Sequence, residues 1–184
     1  YGWRRYDNNG QEIRDRDTGN IGGTFFFRAA PKTQALLEAR YRKIDYVDEA
    51  PNTISLESNE TRVLAGAVWD ATAKTTGALR IGGVQKNFDD SQRSDYSGPT
   101  WEININWQPR TYSQLDLTTS QMPYETVFAG DDYVKVTTVG LDWTHDWNTR
   151  LRTELGGQYW HDEGNNTDYK DKTWRLGAAV TYSM

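Results

Sequence analysis

The sequence predicts an all-β protein: an antiparallel, up-and-down transmembrane β-barrel of outer-membrane type. Three observations carry this. Apolar and polar side chains alternate strictly at period two, the mark of a strand with two unlike faces. The connections are alternately short and long. Aromatic residues flank an aliphatic band on the apolar face, as side chains do where a barrel wall crosses the two membrane–water interfaces.

Taken along the chain, Tyr1–Asp7 reads as the remnant of a strand, which makes the strand count nine or ten. Phe25, Phe27 and Ala29 fall on one face of the next segment. Ala35, Leu37, Ala39 and Tyr41 then oppose Glu38, Arg40 and Arg42, and Val63, Ala65, Ala67, Trp69 and Ala71 line a further apolar face. Leu79 and Ile81 oppose Arg80. The clearest case is Trp101, Ile103, Ile105 and Trp107 against Glu102, Asn104, Asn106 and Gln108. Leu115 and Leu117 oppose Gln114 and Asp116, and Val139, Leu141 and Trp143 oppose Asp142 and Thr144. Leu151, Thr153, Leu155 and Tyr159 oppose Arg150, Arg152, Glu154 and Gln158. Trp174, Leu176, Ala178, Val180 and Tyr182 oppose Arg175, Gly177 and Thr181.

Short turns are expected at Pro31-Lys32, Ala73-Lys74, Pro109-Arg110 and Asp146-Trp147. Long loops rich in Asp, Asn, Ser, Gly and Pro are expected near 47–59, 89–98, 121–132 and 161–171. Each repeat is thus a long hairpin with strands of roughly 10–14 residues, enough to cross a bilayer at a tilt. A propeller blade of similar repeat length needs four short strands, and each repeat here holds two.

Composition fits a wall better than a core. Leu, Ile, Val and Phe together make 32 of the 184 residues, yet there are eight Trp and eleven Tyr. Lipid supplies an apolar surround to a single-sided film of hydrophobic residues. A soluble antiparallel sheet with a solvated Arg-rich face is the competing reading. The net charge of -5 argues against a general nucleic-acid binder, and the absence of Cys excludes disulfides and thiolate metal sites.

Barrel geometry assigns two sets of residues. An aromatic girdle is expected from Tyr41, Trp69, Trp101, Trp107, Trp143, Tyr159, Trp174 and Tyr182. A lumen-facing, selectivity-setting set is expected from Glu38, Arg40, Arg42, Arg62, Arg80, Glu102, Asn104, Asn106, Asp116, Arg150, Arg152, Glu154 and Arg175. These charges either pair across strands and stiffen the wall, or leave Arg free to attract an anionic solute. No catalytic residue is expected. There is no G-x-S-x-G elbow or H-E-x-x-H pair, and His145 and His161 lie at opposite ends of a strand. Asp89-Asp90, Asp131-Asp132 and Asp162-Glu163 read as solvated loop acids, with no cofactor and no metal expected.

Several turn segments, in order, resemble the putative β-barrel porin 2 family. They are Ala30-Pro31-Lys32-Thr33 leading to Leu36-Leu37-Glu38-Ala39-Arg40-Tyr41-Arg42, then Ala67-Val68-Trp69-Asp70-Ala71-Thr72-Ala73-Lys74-Thr75-Thr76-Gly77. Trp107-Gln108-Pro109-Arg110-Thr111-Tyr112-Ser113 and Trp143-Thr144-His145-Asp146-Trp147 follow. The resemblance implies a Gram-negative outer-membrane location and a passive channel for exopolysaccharide export. A general small-solute porin, or a scaffold barrel docking export machinery, stays open beside it. Expected partners are outer-membrane lipid or lipopolysaccharide, polysaccharide and periplasmic export proteins, with no nucleic acid. Members of that family look considerably longer, so residues 1–184, read as a single barrel domain, are expected to be a segment of a larger barrel, lacking strands at both ends.

Overall fold

The computed structural model describes residues 2–5, 15–47, 55–72, 74–126 and 130–184. Its strands are β1 (Gly2–Arg4), β2 (Arg16–Ala30), β3 (Thr33–Tyr46), β4 (Ser58–Thr72) and β5 (Thr75–Phe88). They continue as β6 (Tyr96–Arg110), β7 (Ser113–Glu125), β8 (Tyr133–Asp146), β9 (Leu151–Gly164) and β10 (Lys170–Tyr182). All ten form one antiparallel sheet in the order of the sequence, and no helix occurs among the described residues. The strand at the N-terminal end is real but short, pairing only Gly2–Arg4 with Arg16–Thr18.

Strands run longer than the alternation alone suggests, because pairing continues into polar sequence. Tyr96–Gly98, Gln121–Glu125 and His161–Gly164 are strand rather than loop. The third short turn lies at Thr111-Tyr112, not at Pro109-Arg110. Pairing slips between Trp107 and Arg110, and the bulge leaves Pro109 where a missing N–H breaks no ladder bond. The fourth turn spans Trp147–Arg150, which takes Arg150 off the strand; its N–H and that of Leu151 donate to Asn148 Oδ1. Ala73, in the expected second turn, and Tyr1, Tyr6 and Asp7 lie outside the described residues.

The sheet curls with its polar face inward. Arg16 on β2 reaches Glu125 on β7 at 3.2 Å. In a flat sheet these strands would lie about 24 Å apart, beyond the joint reach of the two side chains. Gly66 and Gly82 let β4 and β5 bend sharply: a Cβ on either would collide with a carbonyl of the neighbouring strand.

The convex face is apolar and exposed. Phe25 and Phe27 on β2, Leu37 on β3, Val63 on β4, Ile81 on β5, Leu141 on β8 and Leu155 on β9 all face outward without cover. Leu176 on β10 is 81% exposed. Soluble monomers rarely leave so continuous an apolar surface.

One ladder is incomplete. Pairing of β6 with β7 stops at Trp101↔Gln121. Two residues farther along that register, Pro99 would face Pro123. Neither has an N–H to donate, so the ladder cannot continue. Released from β6, the end of β7 keeps its bonds to β8 alone, through Met122↔Val136 and Tyr124↔Val134.

The inner face of the concave wall

The polar positions of β3, β4, β5 and β6 converge into a band of ion pairs. On β3, Glu38 and Arg40 bond each other at 2.5 Å. Arg40 Nη1 also donates to Glu102 Oε1 on β6, 2.7 Å away. Arg62 on β4 shares that oxygen at 3.2 Å and holds Glu60 at 2.6 Å. Arg80 on β5 donates to the second oxygen of Glu38 at 2.8 Å. The band contains three guanidinium groups and three carboxylates, so it is electrically balanced. Strand alternation gives each of these residues its inward direction, and the curl brings nonadjacent strands within reach.

Arg42 stands apart. It donates to Asn20 Oδ1 at 3.1 Å and has no carboxylate partner among the described residues. An open cavity of about 350 Å³ lies beside it, lined by Asn20, Thr24, Glu38, Arg40, Arg42 and Arg62.

A second sector, over β6 to β8, is made of amides and hydroxyls. Asn106 donates to Asp116 Oδ1 at 2.6 Å, and Gln114 donates to Asp116 Oδ2 at 2.7 Å while accepting from Gln108. Asn104 is exposed on this face, and the hydroxyls of Ser120 and Thr138 meet at 2.8 Å. On β9 and β10, Arg175 lies 5.2 Å over the Trp160 ring. Arg152 and Glu154 are exposed near the short turn, and Arg152 grips Asp146 through two bonds of 2.6 and 2.9 Å.

The long-loop end of the interior is filled, which the alternation did not announce. Lys86, 1% exposed, pairs with Glu125, which also meets Arg16 and the Ser58 hydroxyl. Ile44, Val84, Phe88 and Tyr96 are buried around them, and Leu36 and Leu64 lie deeper in the wall. By parity Glu125 belongs with Leu115 and Leu117 on the outer face. The Pro99–Pro123 seam frees it to turn inward. Leu36, Ile44, Leu64 and Val84 sit at polar-face parity in the sequence, and counting outward from Glu38, Arg40, Arg62 and Arg80 would have found them.

The aromatic set lies on the outward parity. Trp69 covers Gly77 on β5, leaving no room for a Cβ there. Trp101 donates to Thr119 Oγ1 at 3.2 Å and Trp143 to Ser113 Oγ at 3.0 Å. Tyr159 packs against Trp174, with centroids 4.3 Å and planes 37° apart. Tyr41, Trp107 and Tyr182 are exposed.

The histidines are not near one another's chemistry. His145, on β8, packs among Tyr112, Trp143 and Trp147. His161, on β9, meets Glu163 at 3.2 Å. In the loops, Asp131 accepts from Asn166 N, Thr167 N and Thr167 Oγ1, and Asp132 accepts from Ser94 N. These acids clasp loops together. The Thr167 hydroxyl, ahead of the two amides, holds the Asp131 carboxyl below its ordinary range.

A family model described as putative β-barrel porin 2 matches residues 6–184. No curated protein and no solved structure matches the chain.

Proposed function

The chain belongs to the putative β-barrel porin 2 family, and from that premise we propose that it lines a passive, non-catalytic channel in the bacterial outer membrane that serves exopolysaccharide export. The carrying observation is the pairing of an exposed apolar convex face with a concave face of ions, amides and hydroxyls. Such a wall prefers lipid outside and water inside. Asn104, Asn106 and Gln114 offer the donors and acceptors that sugar hydroxyls exchange with water. Arg42, beside the open cavity, adds attraction for an acidic sugar.

Strands β2 and β10 run in the same direction. Closing an all-antiparallel wall therefore takes an odd number of strands between them, β1 included.

Planar-bilayer recording of the refolded protein tests the channel. Stepwise conductance that long acidic or neutral polysaccharide blocks supports export. Conductance indifferent to polysaccharide favours a general small-solute porin. The filled interior around Lys86 and Glu125 favours a further reading, a scaffold barrel; absence of any conductance would sink both channel readings in its favour.

A further inference from the structure

Positive charge gathers on the convex face at one place. Alternation puts Lys135 of β8, His161 and Glu163 of β9, and Lys170 and Lys172 of β10 on the face that carries Leu155, Trp174 and Leu176. In register, Lys172 faces His161 and Lys170 faces Glu163. Glu163 is already committed away from β10: it holds Lys135 at 2.5 Å and His161 at 3.2 Å. The nearby acids Asp162 and Asp171 alternate to the opposite face. Lys170 and Lys172 are exposed and have no carboxylate partner among the described residues. Lys43, on the same face of β3, contrasts with them, being paired to Asp45 at 2.7 Å.

Directly below the lysines lie Tyr159 and Trp174, packed ring against ring, with Trp174 69% exposed. Below these run exposed Leu155, Leu176 and Val180. Along one strip of wall the order is therefore free ammonium groups, amphipathic rings, then aliphatic side chains. A lipid carrying phosphate on its headgroup has the same order of chemistry: anion, interfacial carbonyls and sugars, acyl chains.

We propose that Lys170 and Lys172, assisted by His161, hold the phosphate of a lipid whose acyl chains lie along Leu155, Leu176 and Val180. The proposal rests on the reading of the convex face as lipid-facing. Ammonium groups act on phosphate as mobile point charges, and desolvation beside the rings strengthens the attraction. The site belongs to the leaflet on the long-loop side.

The test is native mass spectrometry of the protein in mild detergent, titrated with lipid A bisphosphate and with the same lipid stripped of phosphate. The unaltered chain should retain the phosphorylated form about tenfold or more over the stripped one. Lys170→Ala/Lys172→Ala should abolish that preference while the stripped lipid binds as before, and Lys43→Ala should leave the preference intact. A double variant that keeps the preference would overturn the proposal, as would displacement of the lipid by inorganic phosphate at equal concentration. Tryptophan emission in vesicles runs in parallel. If emission shifts to the blue while the lipid preference is missing, this site alone is wrong; if no shift occurs, the lipid-facing reading itself fails.

Discussion

Arg16 Nη1 on β2 lies 3.2 Å from Glu125 Oε2 on β7, five strand intervals away around the sheet. Glu125 also pairs with Lys86, a side chain 1% exposed. This carboxylate therefore ties together three strands that do not neighbour one another, and it neutralises the most buried cation of the wall.

Removing it should be costly. Glu125→Ala leaves Lys86 buried without a counter-charge, and loss of about 3–5 kcal/mol is expected. Replacing the pair, Glu125→Leu with Lys86→Met, should recover most of that loss, because the surroundings are Ile44, Phe88 and Tyr96. Urea unfolding in lipid vesicles, followed by tryptophan fluorescence, reads both. Equal loss in the single and double variants would mean that the pair is not what holds the curl.

The balance of the ion-pair band predicts a sign for selectivity. Glu102 serves both Arg40 and Arg62. Glu102→Gln should move the reversal potential in a salt gradient toward anion preference, and Arg62→Met should move it toward cations. Reversal potentials that ignore both changes would place the band outside the conducting path.

The seam between β6 and β7 should be visible by hydrogen exchange. The amide of Ser97, which points toward β7 with the same parity as those of Ile103 and Ile105, should exchange faster than theirs, which lie within the paired part of the ladder. Replacing Pro99 or Pro123 singly by Val should change little. Replacing both should slow the seam amides, since a full ladder pair becomes available.

The Asp131 clasp carries a pH dependence of known sign. Hydrogen bonds from Thr167 and Asn166 lower the folded-state value below the ordinary 3.8. A depressed carboxyl stabilises fully above its unfolded value, and the contribution is lost as pH falls through the folded one. Protection of the Asn166 and Thr167 amides, corrected for intrinsic exchange, should therefore hold constant from about pH 8 to pH 5 and fall only in stronger acid. Asp131→Asn should weaken it at neutral pH. Opening near pH 6 would contradict this account.

The alternation of Trp101 to Trp107 makes the wall legible in the amino-acid sequence, because period two survives in every strand with unlike faces. The aromatic positions follow from the same parity. What single-strand reading cannot supply is register. Pro99 and Pro123 are unremarkable in their own strands and matter only because the ladder sets them opposite each other. The inward turn of Glu125 depends on that seam, so parity misplaces it. The buried Lys86 depends on Glu125 in turn. One turn moves for a similar reason: the bulge after Trp107 absorbs Pro109 and Arg110, which composition assigns to the turn. Arg40, Arg62 and Arg80, expected on the polar face, are legible as charges but not as partners, since their bonds run between strands two and three apart.

The central claim is that the convex face meets lipid and the concave face meets water. The chain contains no cysteine, so single cysteines can be introduced one at a time and spin-labelled without a background. Ile103 and Leu155 take the outward parity, Asn104 and Gln158 the inward one. In vesicles, labels at Ile103 and Leu155 should relax with oxygen, and labels at Asn104 and Gln158 with a water-soluble nickel chelate. Relaxation by the nickel chelate at Ile103 and Leu155, or no alternation along β6, would contradict it.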